Sequence, residues 1–237
     1  DPLCEAEQAP ILRLPKNKKR TGGMAKISRM QKELSAETTG LIMFDSLNGY
    51  LHPRDPAKQK FLADRNILPN MQRLLMGARK VGMTAFYPSG HHAPDGSDTV
   101  LRLTDTDMDL GSTSAPDAVI KPRFYGDSKD AEVAPELAPA KGDVMVPKHR
   151  WNSFFQTDLE LQMRVRGIVN IIICGGSTDV GIASTVFAAR DLDFGIVVAR
   201  DACFSARGNN NEFFMDRVFP RMSRVMNVDD IVALMRA

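Results

Sequence analysis

The sequence predicts an α/β fold: a three-layer α/β/α sandwich around a central, mostly parallel sheet of about six strands. Two observations carry the prediction. Short, nearly continuous apolar runs, such as residues 41–44 and 171–174, alternate with stretches of helical periodicity. That is the signature of strands buried on both faces and joined by crossover helices. Several of these runs also end at once in Asp, Lys or a Gly-rich turn. The chain of 237 residues is 43% hydrophobic and 25% charged, which suits one ordinary domain with an appended arm.

Residues 1–37 are rich in Pro, Lys and polar side chains and read as a partly irregular arm, with a short helix expected near 26–34. Residues 38–237 form the domain. "TGLIMFDSLNGYL" supplies a first buried strand, closed by Asp45. Within 56–81, Ile67, Met71, Leu74, Leu75 and Ala78 recur at helical spacing, and Gly82 is placed to end the helix. "MTAFYP" is a second strand.

Residues 89–140 form a long loop insertion, since "HHAPDGSD" and "TDTDMDLGSTSAPD" are turn chemistry. A loop of this length in one domain is usually functional, as a lid or a subunit contact. "AEVAPEL" adds one short helix to it. The regular pattern then resumes with "VMVPKH" as a strand and 157–167 as a helix. Thr157 stands at the expected N-cap and Glu160 at the capping-box position. The strand "VNIIICGG", the helix "VGIASTVFAARDLDF" and the strand "GIVVARDAC" follow. After them come the helix "NEFFMDRVFPRM", the short strand "VMNV" and the terminal helix "VDDIVALMRA".

The bulk numbers exclude several classes. The net charge is +2, and the run "KNKKR" at 16–20 supplies much of the excess, so neither nucleic acid nor a membrane surface is an expected partner. Three cysteines make no disulfide framework and no metal-ligand spacing, which points to a reducing, cytoplasmic setting. No run of eighteen apolar residues is present to span a membrane. The opening "DPLCEAEQAP" has neither the basic nor the apolar region of a secretory signal. Nucleotide motifs (GxGxxG, GxxxxGK[ST]) and the GxSxG nucleophile elbow are absent.

Ligands of parallel sheets bind at the carboxyl ends of the strands. Three such ends carry chemistry: Asp45 after the first strand, Lys148 after "VMVP", and the turn "GGSTDVG" after "NIIIC". The Asp45-x-x-Asn48 motif, "GDVMVPKHRWNSFFQTDLELQMRVRGI" and "CGGSTDVGIASTVFAARDLDFGIVVARDA" together resemble the isochorismatase-like, or cysteine hydrolase, superfamily. The resemblance runs from about Thr39 to the C-terminus. It is weakest in the 89–140 loop, and its motifs lie nearest the ureidoacrylate and biuret amidohydrolase branch.

The resemblance implies roles. In amide-cleaving members a Cys at the helix start attacks the carbonyl, an Asp serves as its base and a Lys steadies both. Asp45 and Lys148 match the latter two. The Cys of the G-x-x-T-x-x-C turn is replaced by Gly181. The turn's non-proline cis peptide would fall at Gly176–Ser177, and the backbone N–H groups of Ser177 and Gly181 would form an oxyanion hole. Asn48, His91, His92, Arg150, Trp151 and Phe155 are the candidate substrate-binding residues, with Arg150 suited to a carboxylate. Ser stands at position 89, where metal-binding relatives carry an acidic ligand, so no metal and no cofactor is implied. A small-molecule substrate and a homodimer or homotetramer are. Cys174 reads as a buried core thiol, and Ser177 and Thr178 as residues that cap the helix or bind through the backbone.

Three readings remain open from the residues. One is a Cys-independent hydrolase of a small polar or carboxylated metabolite, with Asp45 as general acid/base, as in the vinyl-ether-cleaving isochorismatases, which also carry Gly at this position. Another is a ureide or amide hydrolase whose nucleophile is lost. The third is a non-catalytic ligand-binding member.

Overall fold

Six parallel strands in the order β4-β3-β2-β5-β6-β7 form the central sheet. The strands are β2 (Thr39–Phe44), β3 (Ala85–Gly90), β4 (Val144–Lys148), β5 (Asn170–Gly176), β6 (Gly195–Phe204) and β7 (Arg224–Met226). The computed structural model describes residues 33–98, 124–125 and 128–237. The apolar runs end up where their composition demands. Every residue of β2 is buried, and so are Ile171 to Gly176 of β5. Such strands carry no polar face because helices cover both sides.

Helices α1 (Asn48–Leu51), α2 (Pro56–Asp64) and α3 (Ile67–Lys80) follow β2. The expected helix over 56–81 is thus two helices, broken at Asn66, whose φ of 51° is left-handed. All five residues expected on its inner face, Ile67, Met71, Leu74, Leu75 and Ala78, are buried. Helix α4 (Leu159–Arg164) starts later than expected. Asp158 is its N-cap, without a side-chain bond, while Thr157 Oγ1 accepts from Leu159 N at 3.3 Å.

The segment after β5 opens with a π-helical turn, Thr178–Ile182, before α5 (Ala183–Asp191). The single helix expected over 211–222 is broken. It comprises α6 (Asn210–Phe213), a π turn over Phe214–Val218 and a 3₁₀ turn over Phe219–Arg221, where Pro220 lacks the N–H a continuing helix needs.

Helix α7 (Val228–Leu234) packs on α3 and β6, and Asp201 on β6 accepts from its first N–H, Val228 N, at 2.8 Å. The chain then pairs β8 (Met235–Arg236) in parallel with β1 (Leu34–Ser35). The folded domain accordingly includes Leu34–Ser35, ahead of the expected start at 38. Leu34 is buried in the core, which holds these residues to the domain rather than to the arm. The helix expected over 26–34 lies outside the described residues apart from Glu33 and Leu34, and Leu34 is extended. Most of the middle of the 89–140 insertion is also outside them. Its later part is anchored by 3₁₀ turns, Lys129–Ala131 and Pro135–Leu137, with Ala134 and Leu137 fully buried. Among the described residues no helix is long and apolar enough to cross a membrane.

Candidate active site

The sheet order places the site. Connections from β2 run outward to β3 and β4 on one side, while β5, β6 and β7 extend on the other. The strand order therefore reverses between β2 and β5, which is where open parallel sheets form a crevice at their carboxyl ends. Asp45 ends β2, and the 176–181 turn ends β5.

Asp45 takes a left-handed backbone conformation, φ 42°. Asp tolerates this region better than most residues, and the kink turns the carboxylate over the sheet edge. The backbone N–H of Asp45 donates to Pro88 O at 3.0 Å. Its Oδ1 accepts from Gly90 N at 2.9 Å, and its Oδ2 accepts from Lys148 Nζ at 3.0 Å. Asp45 is 7% and Lys148 5% exposed. Lys148 comes from β4, two strands away, so its long stem must cross the end of β3. Gly90, paired with Lys148 in register, leaves that path free of a side chain.

The β5 side is built from backbone. Gly175 has φ 120°, and a Cβ there would run into the Phe44 carbonyl of the neighbouring strand. The Gly176–Ser177 peptide is cis. At Gly181 a Cβ would collide with Cζ and Cε1 of the Phe44 ring, which is 1% exposed. The space that a side chain at 181 would occupy is therefore filled from another strand. The same ring lies 4.6 Å from Lys148 Nζ, a cation–π contact that is sheltered from water.

Ser177 is the N-cap of the π-helical turn, accepting from Ile182 N through its carbonyl, but neither it nor Thr178 makes a side-chain cap bond. Ser177 Oγ donates to Asp179 Oδ1 at 2.5 Å, and Thr178 Oγ1 meets Asn211 Oδ1 at 2.7 Å. Asn210 Nδ2 donates to Asp179 Oδ2 at 2.6 Å, tying the turn to α6. Burial acts to raise the Asp179 carboxyl, but hydrogen bonds from Ser177, Asn210 and Ser205 outweigh it and hold it below the usual range. Cys174 is fully buried, with its thiol pushed far up by burial, so it is a core residue and no substitute nucleophile. Ser184 Oγ bonds back to Gly181 O at 3.3 Å.

The remaining candidate residues divide. Asn48 spends its side chain on Lys129 O, 3.0 Å away, binding α1 to the insertion. His91 continues the β3–β4 pairing through its backbone, with N donating to Lys148 O at 3.1 Å. His92 lies beside Asp98, Nδ1 to Oδ1 3.5 Å, and His149 Nε2 approaches the other oxygen at 3.1 Å. Burial holds His92 below the usual imidazole range against the pull of Asp98. Asp98 and His149 were not picked out from the sequence, since nothing in their local pattern links them. Among the described residues, no set of three His, Cys, Asp or Glu side chains is arranged to hold a metal ion.

Arg150 spends its guanidinium on main-chain oxygens, His149 O at 2.7 Å and Asp98 O at 3.5 Å. Trp151 and Phe155 are 42% and 50% exposed. The segment that carries them is pinned to α5 by Ser153, whose N donates to Thr185 Oγ1 at 3.1 Å. Phe44 and Asp179 are the residues sequence reasoning missed. A position next to Asp45 and a position two before Gly181 were the only signals available for Phe44 and Asp179.

Comparison with known proteins agrees with this fold. Residues 39–230 match the isochorismatase domain. The chain is 29% identical over 200 residues to the uncharacterized isochorismatase family protein YecD of Escherichia coli O157:H7, covering 84% of this chain and 97% of that one. It is 27% identical over 196 residues, 78% of each chain, to the ureidoacrylate amidohydrolase RutB of Acinetobacter baylyi. The solved structure of an isochorismatase family protein from Burkholderia thailandensis superposes with a TM-score of 0.69 at 25% identity, covering 84% of this chain and 95% of that chain. The protein whose parallel sheet brings Asp45 and Lys148 to the edge of the 176–181 turn belongs to the isochorismatase family.

Proposed function

We propose that this chain is a hydrolase of a small polar or carboxylated metabolite that works without a covalent nucleophile. Asp45 is its general acid/base and Lys148 its partner. One observation carries the reading: the Phe44 ring fills the space that a side chain at 181 would need. A thiol at 181 would fit only if that buried ring swung aside. Here the neighbouring strand is matched to glycine.

The chemistry that suits such a site is hydrolysis of a vinyl ether. The Asp45 carboxyl gives its proton to the enol carbon, leaving an oxocarbenium ion. Water adds to that ion and returns a proton to Asp45, and the resulting hemiketal splits into a ketone and an alcohol. Proton transfer from a positioned carboxyl is worth about 100- to 10,000-fold in rate. Lys148 holds the carboxylate in place between proton transfers. The backbone N–H groups of Ser177 and Gly181, at the start of a helical segment, are suited to hold a carboxylate oxygen of the substrate while the cationic intermediate forms elsewhere on it.

The amidohydrolase RutB among the relatives favours a second reading, ureide or amide hydrolysis by an ancestor whose thiol is gone. An activity screen separates the two. Wild-type protein is expected to hydrolyse isochorismate, and Asp45→Asn, shown folded by circular dichroism, to lose at least about 100-fold of that rate. Equal rates for the two proteins would end the Asp45 mechanism. If wild type is inert on isochorismate while Gly181→Cys cleaves ureidoacrylate or biuret, the second reading replaces the first. If neither form turns over any of these substrates while the chain still binds one of them, the non-catalytic reading stands.

A further inference from the structure

A cavity of about 390 Å³ lies against the 176–181 turn, reaching Ser177 on one side and the α1–α2 connection and the loop after β6 on the other. That volume is in the range of small-metabolite sites. Asp45 and Lys148 do not line it, and of the residues expected from the sequence to meet substrate only Ser177 does. Its wall instead carries three cations from separate segments. Arg54 precedes α2, Lys58 lies in the first turns of α2, and Arg207 follows β6.

Two carboxylates share the wall, Asp55 and Asp130. Asp55 is already engaged, as the N-cap of α2 that accepts from Ala57 N at 2.9 Å. Among the described residues, the side chains of Arg54 and Lys58 have neither a hydrogen-bond partner nor an ion-pair partner. This contrasts with the site next door, where Lys148 is matched to Asp45 at 3.0 Å. It also contrasts with Arg79, Arg150 and Arg200, which are spent on carboxylates or carbonyls. Long cationic side chains held around a concavity with spare donors are suited to a ligand's oxyanion, and the planar guanidinium can grip one through two parallel hydrogen bonds.

We propose that this cavity is an anion subsite, in which Arg54 and Lys58 recognise a carboxylate or phosphate of a small metabolite and Arg207 adds to the positive field. In catalytic terms it rests on the reading above. The anionic end would sit between Arg54 and Lys58, and the reacting end would pass Ser177 toward Asp45. The subsite thereby restricts the substrate to an anion and rejects an uncharged amide of the same shape.

Binding, not turnover, tests it, so the result stands apart from the fate of the Asp45 mechanism. Calorimetric titration of the full chain at low ionic strength would use three probes: succinate, succinamide as its uncharged counterpart, and inorganic phosphate. Succinate or phosphate is expected to bind at least about 10-fold more tightly than succinamide. Preference between the two anions identifies the group recognised. The double variant Arg54→Gln/Lys58→Gln, changed only at exposed positions, is expected to lose about 10-fold or more of that affinity, with Arg54→Lys/Lys58→Arg keeping most of it. Equal affinity for succinate and succinamide would overturn the proposal. So would no binding of either anion, or unchanged anion binding in the double glutamine variant.

Discussion

The two strand ends that face each other across the switch point are built on opposite principles. The end of β2 works through side chains: a buried carboxylate, held by one N–H and one ammonium, on a backbone kinked at Asp45. The end of β5 works through backbone. It is a Gly-rich turn in which an added methyl at 175 or 181 would strike Phe44. The first half is robust to small changes of volume and fragile to loss of charge. The second is intolerant of added volume at 175 and 181. Phe44 belongs to both, since one ring packs against Gly181 and lies under Lys148.

Removing one charge from the first half is expected to have the largest effect on stability. Lys148→Met leaves Asp45 buried beside an apolar neighbour, and loss of one member of a buried pair costs about 3–5 kcal/mol. Urea denaturation should show that loss. The double variant Asp45→Asn/Lys148→Met should recover much of it, because the uncompensated charge is gone. A single-variant cost below about 1 kcal/mol would mean that water reaches the pair.

Adding volume to the second half comes next. Gly181→Cys overpacks against Phe44 and is expected to destabilise by about 1–3 kcal/mol. Phe44→Val in the same chain should relieve that strain, so the two changes would be coupled by about 1 kcal/mol or more in a double-mutant cycle. The introduced thiol should react with iodoacetamide faster when Phe44 is also replaced. Additive energies would show that the ring moves aside at no cost.

The smallest effect tests what ties the backbone half to α6. Asp179→Ala removes the acceptor for Ser177 and Asn210 and is expected to cost about 1–2 kcal/mol at pH 7. The carboxyl is held below its usual range, so its contribution is present above the ordinary carboxylate pKa and is lost as pH falls through the lower folded value. The gap in melting temperature between wild type and Asp179→Ala should therefore be full at neutral pH and shrink below about pH 4. A gap that stays constant down to pH 3 would mean that the network does not depend on the charge.

Much of this architecture was legible in one dimension. The buried runs became strands of one parallel sheet, and the inner face of α3 held the five residues that its spacing indicated. Asp45 and Lys148 were found because apolar runs stop at them, and a parallel sheet gathers such stops along one edge. Element boundaries were harder to read. The broken 210–221 segment and the cap of α4 were decided by hydrogen bonds that neighbouring structure supplies. Arg150 looked free for a carboxylate until folding set carbonyls beside it. Leu34–Ser35 looked like part of an arm until the far end of the chain came to pair with it.

Periodicity and turn chemistry are local properties, and they sufficed for the fold class and for the strand ends at Asp45, Lys148 and the Gly-rich turn that holds Gly181. What that glycine means was decided in three dimensions. Phe44 and Gly181 lie 137 positions apart in the chain, and only the pairing of β2 with β5 brings the ring onto that spot. Arg54, Lys58 and Arg207 likewise share a wall because two connections converge above the sheet, and no spacing in the sequence records that meeting.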